Sequence, residues 1–235
     1  MGDLASLRDL VYRAHRSLAE SGLVVGTFGN VSGVDREAGL LVIKPSGVPY
    51  ESLRAEDLVA VSLATGEVSG SDLRPSSDTP THLELYRAFP CGGIVHTHSE
   101  HATALAQARL PVRCMGTTHA DYFRGDVPAT RCLTREEVEG EYERNTGLVI
   151  VETFRKAGLS PEEVPAVLVA HHGPFAWGDD PFTAVENARM LEYVAGIELE
   201  MRLLDPDGPR PDGFLVERHY RRKHGRGAYY GQRRR

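Results

Sequence analysis

Apolar residues at positions 4, 7, 10, 11, 14 and 18 (Leu4, Leu7, Leu10, Val11, Ala14, Leu18) recur every three or four residues. That spacing places them on one face of an amphipathic helix over residues 4 to 20, and Gly22 can end it. Residues 26 to 33 read as a turn-rich stretch. Leu40-Leu41-Val42-Ile43-Lys44 then reads as a strand stopped by Pro45-Ser46-Gly47, and residues 58 to 63 as another, followed by the turn Thr65-Gly66-Glu67. Asp78-Thr79-Pro80 has the form of a helix start, with Thr79 capping and Pro80 at the first helical position. Ile94 to Ser99 alternates apolar and hydrogen-bonding residues, as a strand does, and a helix is expected near 100 to 109. Residues 111 to 133 look irregular, helical pattern returns over 135 to 157, and Ala166 to Ala170 reads as a short buried strand. A long helix covers 182 to 204, a Pro- and Asp-rich stretch covers 205 to 213, and the segment from Arg221 to Arg235 is basic. Strands mixed with helices, without an internal repeat or a domain boundary, predict a single three-layer α/β/α domain.

Composition narrows the partners. The 235 residues carry a net charge of -6, which gives no global attraction to nucleic acid or an anionic membrane. No run approaches the ~18 apolar residues of a spanning helix. The N-terminus lacks the charged and apolar regions of a signal peptide. Cys91, Cys114 and Cys132 are widely spaced with no CxxC pair, so a reducing cytoplasm is expected. The basic tail with Tyr229 and Tyr230 reads as a solvated or subunit-clamping segment rather than a nucleic-acid arm.

Within the 94 to 99 strand, His96 and His98 would project from one side, where two imidazoles can share a transition-metal ion. His171 or His172, where a strand meets a loop, would complete the three-histidine set of a catalytic zinc; local sequence does not choose between them. Asp78 either joins or orients that set or is a helix-entry carboxylate at the positive end of the dipole. The other histidines (His15, His82, His101, His119, His219, His224) read as satisfied surface or core groups. Three stretches can bind an anion: Gly29-Asn30, Lys44-Pro45-Ser46-Gly47 and Ser76-Ser77. Small residues there would admit backbone N–H groups, hydroxyls and a lysine to a phosphate, provided the three stretches meet in space. No Walker or GxGxxG fingerprint is present, so a nucleotide is not suggested.

Together the blocks GNVSGVDRE, VIKPSGV, PSSDTPTH, GGIVHTHSEHAT, GTTHADYF, GEYE, VIVETF, HGPFAWG and KHGRGAYYGQ resemble, in order and along nearly the whole chain, the L-ribulose-5-phosphate 4-epimerases of the class II aldolase family. The resemblance implies one α/β/α domain over residues 1–235 with a mainly antiparallel sheet. It also implies a homotetramer with sites between subunits, residues 214–235 reaching a neighbour. Carried over by position, it places zinc on His96, His98, His172 and Asp78, and substrate or phosphate contacts on Gly29, Asn30, Lys44, Ser46, Gly47, Ser76 and Ser77. Asp121 and, from a neighbour's tail, Tyr230 become the acid/base pair. Fuculose-phosphate aldolases carry a glutamate where this chain has Asp78, so the aspartate favours the epimerase branch.

The implied reaction interconverts L-ribulose 5-phosphate and D-xylulose 5-phosphate in arabinose catabolism. C4 of such a sugar is not adjacent to the carbonyl, so its hydrogen is not acidic enough for simple deprotonation. Transient oxidation calls for a nicotinamide site, for which the sequence has no fingerprint. Retro-aldol cleavage of C3–C4 calls for a Lewis acid and a base, and the residues above offer both. The rival readings are an L-xylulose-5-phosphate epimerase, a class II aldolase that releases its fragments, and a non-catalytic adducin-like interaction module.

Overall fold

The expected first helix forms as α1 (Leu4–Glu20), with Val11, Ala14 and Leu18 buried on its apolar face. This computed structural model describes residues 4–230. The chain continues through β1 (Asn30–Asp35), β2 (Leu40–Ile43), β3 (Val59–Ser62), β4 (Val68–Ser69), α2 (Thr79–Ala88), β5 (Gly93–His96) and α3 (Glu100–Ala108). It then forms α4 (Thr117–Ala120), α5 (Arg135–Glu139), α6 (Tyr142–Ala157), β6 (Ala166–Leu168), β7 (Pro174–Gly178), α7 (Pro181–Leu204) and α8 (Gly213–Lys223).

The seven strands lie in the order β4-β3-β2-β1-β5-β7-β6, and every neighbouring pair is antiparallel. Helices cover both faces. Gly33 of β1 faces α1 and α7 so closely that a Cβ there would lie 2.7 Å from Val11 Cγ2 and 2.9 Å from Pro181 Cγ. Its neighbour Ser32 points the other way, where its hydroxyl meets His82 Nδ1 and Tyr86 Oη of α2, each at 2.7 Å. On that second face the rings of Phe89, Phe154 of α6 and Trp177 of β7 pack at tilted and edge-on angles with centroids 5.0–5.3 Å apart. The fully buried Leu41, Ile43, Leu85, Ile94 and Phe175 fill the space between the layers, at ~1.5–3 kcal/mol for each such side chain removed from water.

The sequence pattern misplaces several features. The stretch read as turns becomes a central strand, β1, from Asn30 onward. Its small polar residues hide it, because their partners come from helices distant in sequence. His15 of α1 holds the strand's backbone as well: its Nδ1–H donates to Val11 O and its Nε2 accepts the Val31 N–H, both at 2.9 Å. The helix expected over 135 to 157 breaks at Gly140; α5 begins with a capping box in which Thr134 Oγ1 accepts from Glu137 N–H and the Glu137 carboxylate accepts from Thr134 N–H. At α2, Thr79 is already the first helical residue and Asp78 the cap position, yet the Asp78 side chain makes no capping bond. Residues 213–223 of the tail form α8, whose charged sequence carries no apolar stripe long enough to announce a helix.

Candidate metal and phosphate site

The sheet ends where the histidines are. Across β1, β5 and β7 the register sets Asn30 opposite His96 and His96 opposite Phe175. The His96 ring stacks on Phe175 at 4.2 Å, and its Nδ1–H donates to Pro174 O at 2.9 Å. That bond fixes the tautomer and turns the Nε2 lone pair outward. His98 lies beyond the end of β5 rather than within the strand, and the chain's turn brings its Nε2 to 3.2 Å from His96 Nε2. His172 closes the group, with ring centroids 4.8 Å from His96 and 5.1 Å from His98. The hairpin between β6 and β7 makes the choice left open by the sequence. His171 takes the left-handed conformation at φ 63 and is exposed, so His172 turns inward. The next residue must be small: a Cβ on Gly173 would lie 2.8 Å from Thr97 O.

One nitrogen from each of these three histidines lies within 4.8 Å of the others. Burial, reinforced by the neighbouring rings and opposed by Asp78, pushes His172 down to about 4; burial also lowers His98. Imidazoles facing each other across 3.2 Å, with the His96 Nδ1–H held by Pro174 O so that its Nε2 meets the gap, suit a shared cation. Three imidazole donors with room for substrate fit a catalytic zinc.

Asp78 lines the same cavity. Its Oδ2 accepts from Asn30 Nδ2 at 2.7 Å and from Ser76 Oγ at 3.4 Å. Burial would raise its carboxyl, but His96, His82, the Asn30 bond and His172 together outweigh that and hold it below the usual range. The three stretches expected to bind an anion do meet in space. Pro45 and Pro75 form an isolated bridge, Ser46 N–H donates to Arg74 O at 3.0 Å, and Ser76 N–H donates to Lys44 O at 2.9 Å. Asn30 Nδ2 also donates to Ser76 Oγ at 3.1 Å. Gly29 (φ +85) and Gly47 (φ +71) occupy turns that a side chain would strain. Lys44 is buried, which lowers its ammonium; its Nζ lies 5.2 Å from the Tyr50 ring centroid and has one long bond, 3.5 Å, to Pro45 O. An ammonium so poorly solvated favours an anion. Gly29, Asn30, Lys44, Ser46, Gly47, Ser76, Ser77, Asp78, His96, His98 and His172 all line one cavity of about 360 Å³. Thr27, Phe28, Tyr142 and Glu143 line it too and have no role in the sequence reading; for the last two the only signal is the GEYE block.

Residues 9–199 match the Class II Aldolase and Adducin N-terminal domain family. The chain belongs to that family. Among solved structures it is similar to an L-fuculose 1-phosphate aldolase, at 26% identity and TM-score 0.74 over 91% of this chain and 95% of that one. It is also similar to the L-fuculose-1-phosphate aldolase of Thermus thermophilus, at 29% identity and TM-score 0.66 over 87% and 98%. The YgbL protein of Klebsiella pneumoniae shares 28% identity with TM-score 0.71 over 93% and 99%. The antiparallel sheet between helical layers is therefore the class II aldolase fold.

Against this class II aldolase frame, Asp121 and Tyr230 stand apart from the histidines. Asp121 follows α4 and is gripped by α8: Arg222 Nε donates to its Oδ1 at 2.8 Å, Arg222 Nη2 binds Oδ2, and His219 Nδ1 lies 3.0 Å from Oδ1. His224 Nε2 donates to its backbone oxygen at 2.9 Å. Burial raises the Asp121 carboxyl, and the Arg222 and His219 bonds overcome that and lower it. Tyr230 is exposed, and the Arg222 and Lys223 cations each lie 4.8 Å from its ring centroid. Neither residue lines the cavity. One chain thus brings Asp121 and Tyr230 to a common patch but not to the histidines. Arg222 and His219, unassigned in the sequence, are three residues apart on one face of α8. Arg233, Arg234 and Arg235 lie outside the described residues.

Proposed function

We propose that the chain is a zinc-dependent L-ribulose-5-phosphate 4-epimerase, interconverting L-ribulose 5-phosphate and D-xylulose 5-phosphate in a cytoplasmic arabinose-catabolic route. The observation that carries the reading is one cavity joining three converging histidines to the wall around Lys44, Ser46 and Ser76. An aspartate rather than a glutamate at position 78 supports the epimerase over the aldolase branch.

Held by His96, His98 and His172, with Asp78 joining or orienting the set, zinc would supply the Lewis acid that polarises the C2 carbonyl and stabilises enediolate charge. Lys44 and the hydroxyls and backbone N–H groups of Ser46, Gly47, Ser76 and Ser77 hold the phosphate, with Gly29 and Asn30 against the sugar. A base removes the C4 hydroxyl proton, the C3–C4 bond breaks, and its electron pair passes into the enediolate of the three-carbon fragment. The phosphate grip retains glycolaldehyde phosphate while it presents its opposite carbonyl face. C3–C4 re-forms there, and an acid returns a proton to the C4 oxygen. Asp121 and Tyr230 serve as base and acid, one on each face. Because both lie on one patch away from their own cavity, a second copy of the chain supplies them together, in a homotetramer with shared sites.

The test is turnover of L-ribulose 5-phosphate with and without a chelator, followed for D-xylulose 5-phosphate and free glycolaldehyde phosphate. Chelator-sensitive xylulose product without free aldehyde is expected. Accumulating aldehyde would make the protein an aldolase, turnover of L-xylulose 5-phosphate alone would change the substrate, and absence of both turnover and bound metal would favour an adducin-like module.

A further inference from the structure

Each metal-binding histidine has a second ring nitrogen, and what holds that nitrogen sets the ring's aim. For His96 the holder is a backbone carbonyl, Pro174 O. For His172 it is a side chain, the Tyr142 hydroxyl, 3.4 Å from Nδ1 with the rings 6.2 Å apart. Tyr142 is the first residue of α6, and that helix end is pinned. Thr81 Oγ1 of α2 donates to Glu143 O at 2.5 Å. Gly147 lets the two helices approach so closely that a Cβ there would lie 2.8 Å from Glu84 Cβ. The break at Gly140 frees α6 from the direction of α5 and lets its first residue face the cavity. The hydroxyl is therefore placed by α2, the helix whose cap position is Asp78.

We infer that Tyr142 is a positioning residue for His172: its hydroxyl oxygen accepts the Nδ1–H, which fixes the tautomer and leaves the Nε2 lone pair directed at His96 and His98. The inference rests on the metal-site reading above and extends it to a residue that no sequence motif assigns. Tyr142 touches the ligand, not the reacting atoms, so its removal acts first on metal affinity.

The experiment compares wild type, Tyr142→Phe and Tyr142→Leu in competition with a chromophoric chelator for Zn²⁺, with Co²⁺ visible spectra as a second readout. Tyr142→Phe keeps the ring and loses only the hydroxyl. Its affinity should fall ~10–100-fold, the usual cost of losing an outer-shell partner, with a changed cobalt band and an unchanged apo melting temperature. Tyr142→Leu should lose at least as much. A Tyr142→Phe affinity within twofold of wild type, with loss confined to Tyr142→Leu, would assign the effect to ring packing and overturn the inference. Independently of any variant, nitrogen-15 histidine spectra of the wild-type apo protein should show His172 protonated on Nδ1; protonation on Nε2 would overturn it as well. If wild type itself binds no divalent metal, the proposed function fails instead.

Discussion

The histidine cavity and the Asp121 patch are built by different means. The cavity is a product of the sheet. Register alone sets Asn30, His96 and Phe175 side by side, and backbone bonds fasten the flanking Lys44 and Ser76 turns to each other. Asn30, Lys44, Ser76, Asp78 and the three histidines are buried or half-buried and hold their places without an ion pair among the described residues. The patch depends on charge. Arg222 clamps Asp121 and lies against Tyr230, and the clamp is carried on a helix near the chain's end. A site made by strand register is pre-organised within one chain. A site made by a terminal helix can be presented to another chain, and the carboxylates and phenol that the cavity holds of its own, Asp78, Glu143 and Tyr142, sit beside the histidines.

The sharpest break in this comparison is at the cavity. His98→Asn removes a donor from the converging set, so metal content and turnover should fall together. The loss should exceed the ~10–100-fold cost of an outer-shell change. Metal analysis beside the epimerisation assay checks it, and full activity in a metal-depleted variant would remove the histidines from the chemistry. At the patch, Asp121→Asn should retain the metal and lose ~10²–10⁴ in turnover, the range of one acid/base group.

Mixing variants sharpens the comparison further. If one copy's patch completes another copy's cavity, co-assembled His98→Asn and Tyr230→Phe chains should recover about a quarter of wild-type sites by random pairing in a symmetric ring. Asp121→Asn mixed with Tyr230→Phe should recover none, because each chain spoils the same patch. Activity in both mixtures would mean that Asp121 serves its own cavity and only Tyr230 crosses between chains.

The sequence was informative where one element suffices. α1 announces itself by apolar spacing, β2 and β3 by apolar runs, and the three histidines by their own chemistry. It was silent where partners are distant. β1 looks like a turn because the side chains of Asn30 and Ser32 bond to Ser76, Asp78, His82 and Tyr86, up to 54 residues away. No local pattern shows that Ser46 and Ser76 share a wall, that the chain past β5 returns His98 to His96, or that Tyr142 reaches His172. Asp121's partners lie 98 and 101 residues further along.

The smallest expected effect separates the scaffold beneath the cavity from the site itself. His15 fastens α1 to β1 through both ring nitrogens, and burial, its largest influence, pushes it down to about 3. In the unfolded chain its pKa is ~6.5. Between those values the unfolded state binds a proton that the native state refuses, so the slope of unfolding free energy against pH is positive. The contribution of neutral His15 is complete above the unfolded value and is lost progressively as pH falls toward about 3, at up to ~1.4 kcal/mol per pH unit. His82, also pushed to about 3 by burial, adds a second proton of the same sign. His15→Gln keeps an acceptor for Val31 N–H but cannot titrate. It should cost ~1–3 kcal/mol at pH 7 through disturbed buried bonds, and it should flatten, without abolishing, the decline between pH 6.5 and pH 4. Urea unfolding of both proteins at pH 7, 5.5 and 4.5 measures the two slopes. Equal slopes would mean that His15 is already protonated in the folded protein, and that α1 is held to the sheet by a charged ring rather than a neutral one.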